Sequence, residues 1–313
     1  MSFRIFLYLF FSTIFGFAGS SLPLLSDELV QGAGEENTVL RIVAANLTSG
    51  KYQSYSMDNG NHSNIEGAGA RILKALNPDI VLIQEFNTGG SPRQWVNSVF
   101  GNDFNFVREG IFNKGKNVIP NGIISRFPII ASGEWDDQEM SNREFVWAKI
   151  ALPGGRFLWA ISVHLYSREP GARTREMRQI VAYIKRHVSP KDYLVLGGDF
   201  NTRDVQEPCF RVLEPTLVIP EKLPADLQGN HNTNANRNRP YDWILVNQSL
   251  QDTELPVSLA GHEAANGLVF DTRIFPSLEK LQPAQKGDSG VKGMQHMAVV
   301  RDFQIFTAPK TKE

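Results

Sequence analysis

The segment from Tyr193 to Asn201, Tyr-Leu-Val-Leu-Gly-Gly-Asp-Phe-Asn, constrains the fold of this chain more than any other stretch. Its continuous apolar start is typical of a strand buried on both faces, and the two glycines predict a sharp turn directly after it. Residues i and i+2 of an extended chain point the same way, so Asp199 and Asn201 are expected to project together. A carboxylate and an amide suit a hard cation or a phosphoryl oxygen, although Gly-Asp and Asn also form ordinary polar turns.

The chain carries two predicted strand–helix–strand units. The first has strands at 39–44 and 80–83, separated by a helix that Pro78 closes, and the second has strands at 157–163 and 193–196 around another amphipathic helix. In open α/β architectures ligands gather beyond the strand ends. Polar residues at the ends of these strands are therefore expected to share one rim.

Six predicted strands, the four above and two more at 241–246 and 297–303, have such a polar residue close to one end. Any one of them is more readily explained as a turn residue or a hydrogen-bonded polar group, but six in the same position are not. The set contains carboxylates, amides and imidazoles without cysteine, which suits Mg²⁺ or Ca²⁺ better than a closed zinc site. Its members are Asn46, Glu85, His164, Asp199, Asp242 and His296.

The composition is that of an ordinary globular protein, with 42% hydrophobic and 21% charged residues among 313. The formal net charge of −1 provides no global basic field, which disfavours a non-specific nucleic-acid binder but not an enzyme with a local basic rim. No linker rich in Pro, Gly or Ser divides the chain, so one domain is predicted.

The amino terminus has the pattern of a secretory signal. Arg4 precedes a dense apolar run at 5–18, and Ala18-Gly-Ser20 offers small residues for cleavage; the alternative is an uncleaved anchor. We predict a signal peptide at 1–20, a leader at 21–37, a domain at 38–305 and a tail at 306–313. No stable membrane span is expected after signal removal.

The single cysteine, Cys209, excludes an internal disulfide. An exported protein without disulfides is more typical of bacteria than of animals. We therefore predict a periplasmic or extracellular bacterial protein, and a monomer.

The order of the motifs resembles the endonuclease/exonuclease/phosphatase superfamily, which has the deoxyribonuclease I-like fold. The resemblance covers about residues 39–303. It implies an α/β (α+β) protein built as a four-layer α-β-β-α sandwich, with two mixed β-sheets packed face to face. The motifs that carry it are Asn46, Gln84-Glu85, Val163-His164, Gly197-Gly-Asp-Phe-Asn201, Tyr241-Asp242 and His296.

The resemblance also implies roles for these residues. Glu85, with Asn46 beside it, would bind catalytic Mg²⁺, with Mn²⁺ or Ca²⁺ as alternatives. Asp199 and Asn201 would position the attacking water and the phosphoryl group. The imidazole of His296 would polarise or protonate the phosphate ester, and the carboxylate of Asp242 would orient that imidazole.

Two further residues resemble the deoxyribonuclease I-like branch. His164 matches its second histidine, and Ser141-Asn-Arg-Glu144 matches a segment whose arginine meets phosphate, which makes Arg143 a candidate for the substrate phosphate. One residue departs from the family pattern of Ser-Asp-His: the chain reads Met294-Gln-His296. Gln295, a further candidate metal ligand, keeps an oxygen but no charge, so weaker metal binding or a shifted metal preference is expected.

These observations favour an exported, divalent-metal-dependent phosphoesterase, specifically a phosphodiesterase in which activated water attacks the P–O bond directly. Nucleic acid, a phospholipid headgroup and a small phosphodiester remain open as substrates. Near-neutral charge disfavours a dedicated DNA binder, whereas His164 and Arg143 favour the nuclease branch. The alternative, which Gln295 favours, is a non-catalytic module that binds a phosphoryl ligand or a protein.

Overall fold

The structure, a computed structural model, describes residues 36–47, 67–88, 90–110 and 118–307. The predicted signal peptide at 1–20 lies outside the described residues, as do most of the leader and most of the tail. The first strand already begins at Glu36 and the last ends at Thr307. The ordered sheet therefore extends two residues beyond each predicted domain boundary.

The described residues form fourteen strands, most of them short. The strands are β1 (Glu36–Ala45), β2 (Ile80–Ile83), β3 (Asn105–Arg108), β4 (Gly122–Ser125), β5 (Ile129–Trp135), β6 (Phe145–Ala151), β7 (Phe157–His164), β8 (Tyr193–Asp199), β9 (Asp242–Val246), β10 (Glu254–Leu255), β11 (Val257–Leu259), β12 (His262–Ala264), β13 (Leu268–Phe270) and β14 (Ala298–Thr307).

The helices begin and end at residues with clear local preferences. Three helices begin with a proline, at Pro92, Pro170 and Pro208, where the missing N–H costs nothing. The first helix ends at Leu76 and is capped by Asn77, whose φ of 47° is left-handed, just before Pro78. The helices are α1 (Ala68–Leu76), α2 (Pro92–Phe100), α3 (Pro170–His187), α4 (Pro208–Leu213) and α5 (Gln248–Gln251), with 3₁₀ turns at Pro153–Gly155, Glu279–Leu281 and Asp288–Gly290.

Two large sheets carry the fold. A seven-stranded sheet has the order β10-β14-β1-β2-β4-β3, with β13 also paired to β14, and a five-stranded sheet has the order β5-β6-β7-β8-β9. Both are mixed, because β1 and β2 are parallel, as are β7 and β8, whereas the other pairs are antiparallel. A separate β11-β12 hairpin completes the strand pairing of the described part.

Three apolar clusters lie between the four layers of the fold, which are two layers of helices and the two sheets. Leu40 and Ile42 of β1 face the cluster between the two sheets, while the alternate residue Val43 joins the cluster beneath α1 and α2. The third cluster joins the outer face of the five-stranded sheet to α3 and α4 and includes Trp159 of β7 and Met177 of α3. The predicted α-β-β-α sandwich with two mixed sheets is confirmed.

The prediction that the chain turns at Gly197 and Gly198 was wrong, because β8 continues through both to Asp199. A Cβ on Gly197 would lie 2.6 Å from a methyl of Leu82 in the facing sheet. A Cβ on Gly198, whose φ is +128°, would lie 2.2 Å from the Val163 carbonyl oxygen. These glycines permit close packing within the strand rather than ending it.

After Asp199, the structure adds α4, α5 and the short strands β10 to β13 to the elements predicted from the sequence. Among the described residues, no helix combines the length and apolar character needed to cross a bilayer.

Candidate active site

The sheet topology brings the predicted strand-end residues to one edge. Because β1 runs parallel to β2 and β7 runs parallel to β8, each pair presents its carboxyl ends together. The antiparallel partner β9 begins at the same edge, where Asp242 pairs with Asp199. Asn46 from one sheet and Asp199 from the other meet across the sandwich, where Asn46 Nδ2 donates to Asp199 Oδ2 at 2.8 Å.

Asp199 Oδ2 lies at the centre of the group. Besides Asn46, it lies 3.2 Å from His164 Nε2 and 3.8 Å from His296 Nε2. The other carboxylate oxygen, Oδ1, accepts the backbone N–H of Asn201 at 2.8 Å. Only 1% of the Asp199 surface is exposed, so these contacts act in a poorly hydrated setting where charge interactions are strong.

His296 and Asp242 form a buried pair beside Asp199. His296 Nδ1 lies 2.8 Å from Asp242 Oδ2 and 3.1 Å from its Oδ1. The ring of Tyr241, which is half-buried, packs against the imidazole with centroids 5.4 Å apart. This geometry leaves His296 Nε2 directed towards Asp199.

The buried groups shift one another's titration. Burial raises the pKa of Asp199 to about 6, and the nearby Asp242 raises it too, while His296 opposes the rise. Burial lowers the pKa of His296, but the carboxylates of Asp242 and Asp199 outweigh it and raise that pKa to about 9. At neutral pH the arrangement therefore pairs an ionised Asp199 with a protonated His296.

His164 is held in its neutral form. Burial lowers its pKa well below 6.5, and the charges of Arg143 and His296 act in the same direction. The Nδ1 atom has no hydrogen-bond partner among the described residues, so the single ring proton is best placed on Nε2, facing Asp199. His164 Nε2 thus faces the central carboxylate at 3.2 Å.

The oxygen donors around Asp199 fit a divalent cation. Asn46 Oδ1 is buried and has no hydrogen-bond partner within the described ranges. A buried amide oxygen without a partner is stabilised when it coordinates a cation. Glu85, 7% exposed and with a left-handed φ of 49°, lies near enough to His296 to raise the pKa of the imidazole. Asp199, Asp242 and His296 also present ligand atoms within 4.8 Å of one another. Carboxylate and amide oxygens match the preference of Mg²⁺.

Gln295 stands apart from these residues, because its side chain is exposed while the flanking Met294 and His296 are buried. Met294 belongs to the apolar cluster under α1 and α2. The structure gives Gln295 no contact with the central carboxylate.

Arg143 and Asn201 both bind the backbone that follows β7. Arg143 is buried and donates from Nε to the His164 carbonyl and from Nη2 to the Leu165 carbonyl at 2.9 Å. Asn201 Nδ2 donates to the same Leu165 oxygen at 3.0 Å. The expectation that Asn201 continues an extended chain beside Asp199 was wrong, because its φ of 53° is left-handed. Both residues hold the segment that carries His164, and a phosphate contact of Arg143 stays a prediction.

A sequence model of the endonuclease/exonuclease/phosphatase family matches residues 63–263. The chain belongs to this family. A comparison with curated proteins finds no match.

Solved structures share the fold of this family member at low sequence identity. An endonuclease/exonuclease/phosphatase family protein from Leptotrichia buccalis is 14% identical with a TM-score of 0.55, covering 85% of this chain and 100% of its own. The endonuclease/exonuclease/phosphatase from Bacteroides vulgatus is 16% identical with a TM-score of 0.56, at 86% and 99% coverage. D. rerio TDP2, complexed with a single-strand DNA product, is 16% identical with a TM-score of 0.51, at 85% and 99% coverage.

Sequence reasoning missed two residues that support the site of this family member. Thr233 is buried and donates to Asp242 Oδ2 at 2.6 Å, although it lies in an Asn- and Arg-rich stretch that we predict to be a surface loop. Ser162 accepts from Gln84 Nε2 at 2.9 Å and joins the two sheets below the site. No local pattern marks either residue, because each acts on a partner distant in sequence.

The buried carboxyl groups of Glu176 and Asp137 should make the stability of the protein pH-dependent. Burial, and then Asp137, raise the pKa of Glu176 from 4.5 to about 8. The folded protein therefore keeps a proton that the unfolded chain releases, so the free energy of unfolding should fall as pH rises through this window.

Replacing Glu176 with glutamine should flatten this dependence, because an amide oxygen can still accept the Tyr166 N–H that Glu176 binds at 3.0 Å. Urea unfolding between about pH 5 and about pH 8 measures the slope. The exposed Glu214 is the matched control, and Glu214→Gln should leave the slope unchanged. An unaltered slope in Glu176→Gln would contradict the assignment.

Proposed function

We propose that the protein is a divalent-metal-dependent phosphodiesterase that hydrolyses a P–O bond by direct attack of water. The observation that carries the proposal is the convergence on Asp199 Oδ2 of Asn46, His164 and His296, with Asp242 fixing the last of these. The carboxylates of Asp199 and Asp242, together with the protonated imidazole of His296, provide a base and an acid in one pocket. A family relationship supports the reaction class.

Each residue has a task in this reaction. Ionised Asp199 uses Oδ2 to accept a proton from the attacking water. The N–H of Asn46 donates to that oxygen, and His164 Nε2 lies 3.2 Å from it. His296, protonated by virtue of its carboxylate neighbours, donates from Nε2 to the departing oxygen. The reaction forms one P–O bond to the oxygen of the attacking water and breaks one P–O bond to the departing oxygen. Asp199 takes up one proton and His296 gives up one, so the hydrolysis balances.

Asn46 and Glu85 are the residues we assign to Mg²⁺, with Mn²⁺ or Ca²⁺ as alternatives. A bound divalent cation would polarise a phosphoryl oxygen and offset the negative charge of the ester. The orphaned oxygen of Asn46 supports the assignment.

Removing the metal should therefore abolish most of the activity. Purified protein should hydrolyse bis-p-nitrophenyl phosphate with Mg²⁺, and EDTA should lower the rate by at least about 100-fold, with recovery on adding Mg²⁺. The same assay on plasmid DNA, RNA and sphingomyelin identifies the substrate class among nucleic acid, lipid headgroup and small phosphodiester. A substrate hydrolysed equally well in EDTA would refute the metal dependence.

The alternative, a non-catalytic module binding a phosphoryl ligand or a protein, rests on Gln295. Protein that is inert on every substrate but gains activity in Gln295→Asp would favour it. The exposed position of Gln295 and the intact pair of Asp242 and His296 favour catalysis instead.

We also propose that the protein is exported, because of the apolar run at 5–18 and the small residues after it. The mass of the protein recovered from an expressing bacterium gives the test. Loss of about the first twenty residues would support cleavage of the signal.

A further inference from the structure

Thr233 has the contacts of a residue that positions the acid–base pair. Its side chain is 1% exposed, and its hydroxyl donates to Asp242 Oδ2 at 2.6 Å. The hydroxyl oxygen of Thr233 also accepts the backbone N–H groups of Tyr241 at 3.0 Å and Asp242 at 2.9 Å. One donated and two accepted bonds use the whole hydrogen-bonding capacity of a hydroxyl.

The backbone of Thr233 holds the other half of the pair. Its carbonyl accepts the N–H of Met297 at 2.7 Å, and the next residue, Asn234, forms an isolated antiparallel bridge with His296. The N–H of Thr233 donates to the carbonyl of Arg239 at 2.9 Å, which closes the loop on itself. One residue thus contacts the segments that carry both Asp242 and His296.

The hydroxyl fixes the orientation of a shared oxygen. Asp242 Oδ2 accepts from Thr233 Oγ1 and is also the oxygen nearest to His296 Nδ1. A second donor on that oxygen limits rotation of the carboxylate, and rotation would carry the imidazole with it. Misplacement of a catalytic group by about 1 Å can cost about 100-fold in rate.

We propose that Thr233 is a positioning residue that orients the Asp242 carboxylate and, through it, the His296 imidazole. Its effect on turnover rests on the proposed phosphodiesterase activity, whereas its effect on the histidine does not. The contacts of Thr233 are with Asp242 and with backbone, so the residue acts through the pair and not on the substrate.

Three variants separate positioning from packing. Thr233→Val keeps the shape and removes the hydroxyl, Thr233→Ser keeps the hydroxyl, and Thr202→Val is the matched control. Thr202 is also fully buried, and its hydroxyl donates to the Pro240 carbonyl and accepts from Trp243 Nε1 at 2.8 Å without touching Asp242.

Two readouts apply to each variant. In Thr233→Val, kcat should fall about 10- to 100-fold with little change in KM, whereas Thr233→Ser and Thr202→Val should stay near wild type. The second readout is the downfield proton NMR signal of the His296 Nδ1–H, assigned by its loss in His296→Gln. It should shift upfield or disappear in Thr233→Val and persist in the other two variants.

The NMR signal distinguishes failure of this inference from failure of the proposed function. Should the wild-type protein hydrolyse none of the substrates, the phosphodiesterase proposal fails, and the shift of the signal in Thr233→Val still supports positioning. An unshifted signal in folded Thr233→Val overturns it, as does an equal loss in Thr202→Val. Should Thr233→Val not fold, Thr233→Ala gives the same comparison with a smaller side chain.

Discussion

Replacing His296 with glutamine is expected to lower kcat by about 1000-fold while leaving the fold intact. The side chain is 5% exposed, and Asp242 and Asp199 together raise its pKa to about 9 although burial acts against them. Glutamine fills similar space and can donate a hydrogen bond, but it cannot deliver a proton. Steady-state kinetics on the best substrate of the panel measures the loss, with KM expected to change little.

The control for this substitution is His262→Gln. His262 lies in β12 and packs edge-on against Phe275, with ring centroids 5.2 Å apart. His262 carries the same side chain as His296 but contacts neither Asp242 nor Asp199, so its variant should retain wild-type kcat. A His296→Gln enzyme within about tenfold of wild type would remove the general acid from the mechanism.

Asp199→Asn should be at least as damaging, with kcat about 1000-fold lower or more. Oδ2 accepts the N–H of Asn46 at 2.8 Å and faces His164 Nε2 at 3.2 Å. Asparagine removes the negative charge, and its amide nitrogen would confront donors if it occupied the position of that oxygen. The loss of the base and the disturbed contacts act together.

Asp192→Asn controls for the removal of a buried carboxylate. Asp192 directly precedes β8, at the opposite end of the strand from Asp199, and binds Trp159 Nε1 at 3.0 Å and Lys149 Nζ at 3.2 Å. Its variant should lose some stability in urea unfolding and keep its kcat. Equal losses of kcat in both variants would show that the effect of Asp199→Asn is structural.

The sequence was sufficient to predict the residues that follow or precede buried strands. The strand at 80–83 was predicted with its observed bounds, so Glu85 could be placed at a strand end from periodicity alone. Asp199 and Asp242 followed in the same way, because apolar runs mark core strands and a polar residue beside such a run lies at a sheet edge. Their convergence was predicted from the two strand–helix–strand units, whose strand ends were expected to share one rim.

Contacts between distant segments could not be predicted from local patterns. Thr233 lies among asparagines and arginines, and its importance depends on Asp242, nine residues away, and on Met297. The bonds from Arg143 to the carbonyls of His164 and Leu165 are likewise set by the tertiary structure, and its contact with a substrate phosphate stays a prediction. The prediction of a turn at Gly198 was wrong because glycine is needed there for close packing against the Val163 carbonyl. That contact joins neighbouring strands and has no local sequence pattern.

The most direct test of the central claim is the position of a bound metal. Crystals soaked in Mn²⁺ should show an anomalous difference peak within about 2.5 Å of Asn46 Oδ1 and of a Glu85 carboxylate oxygen. A peak at that place, lost in crystals of Glu85→Gln, would establish that the strand ends form a metal centre. Well-ordered crystals with manganese only at sites remote from Asn46 and Glu85 would contradict the account.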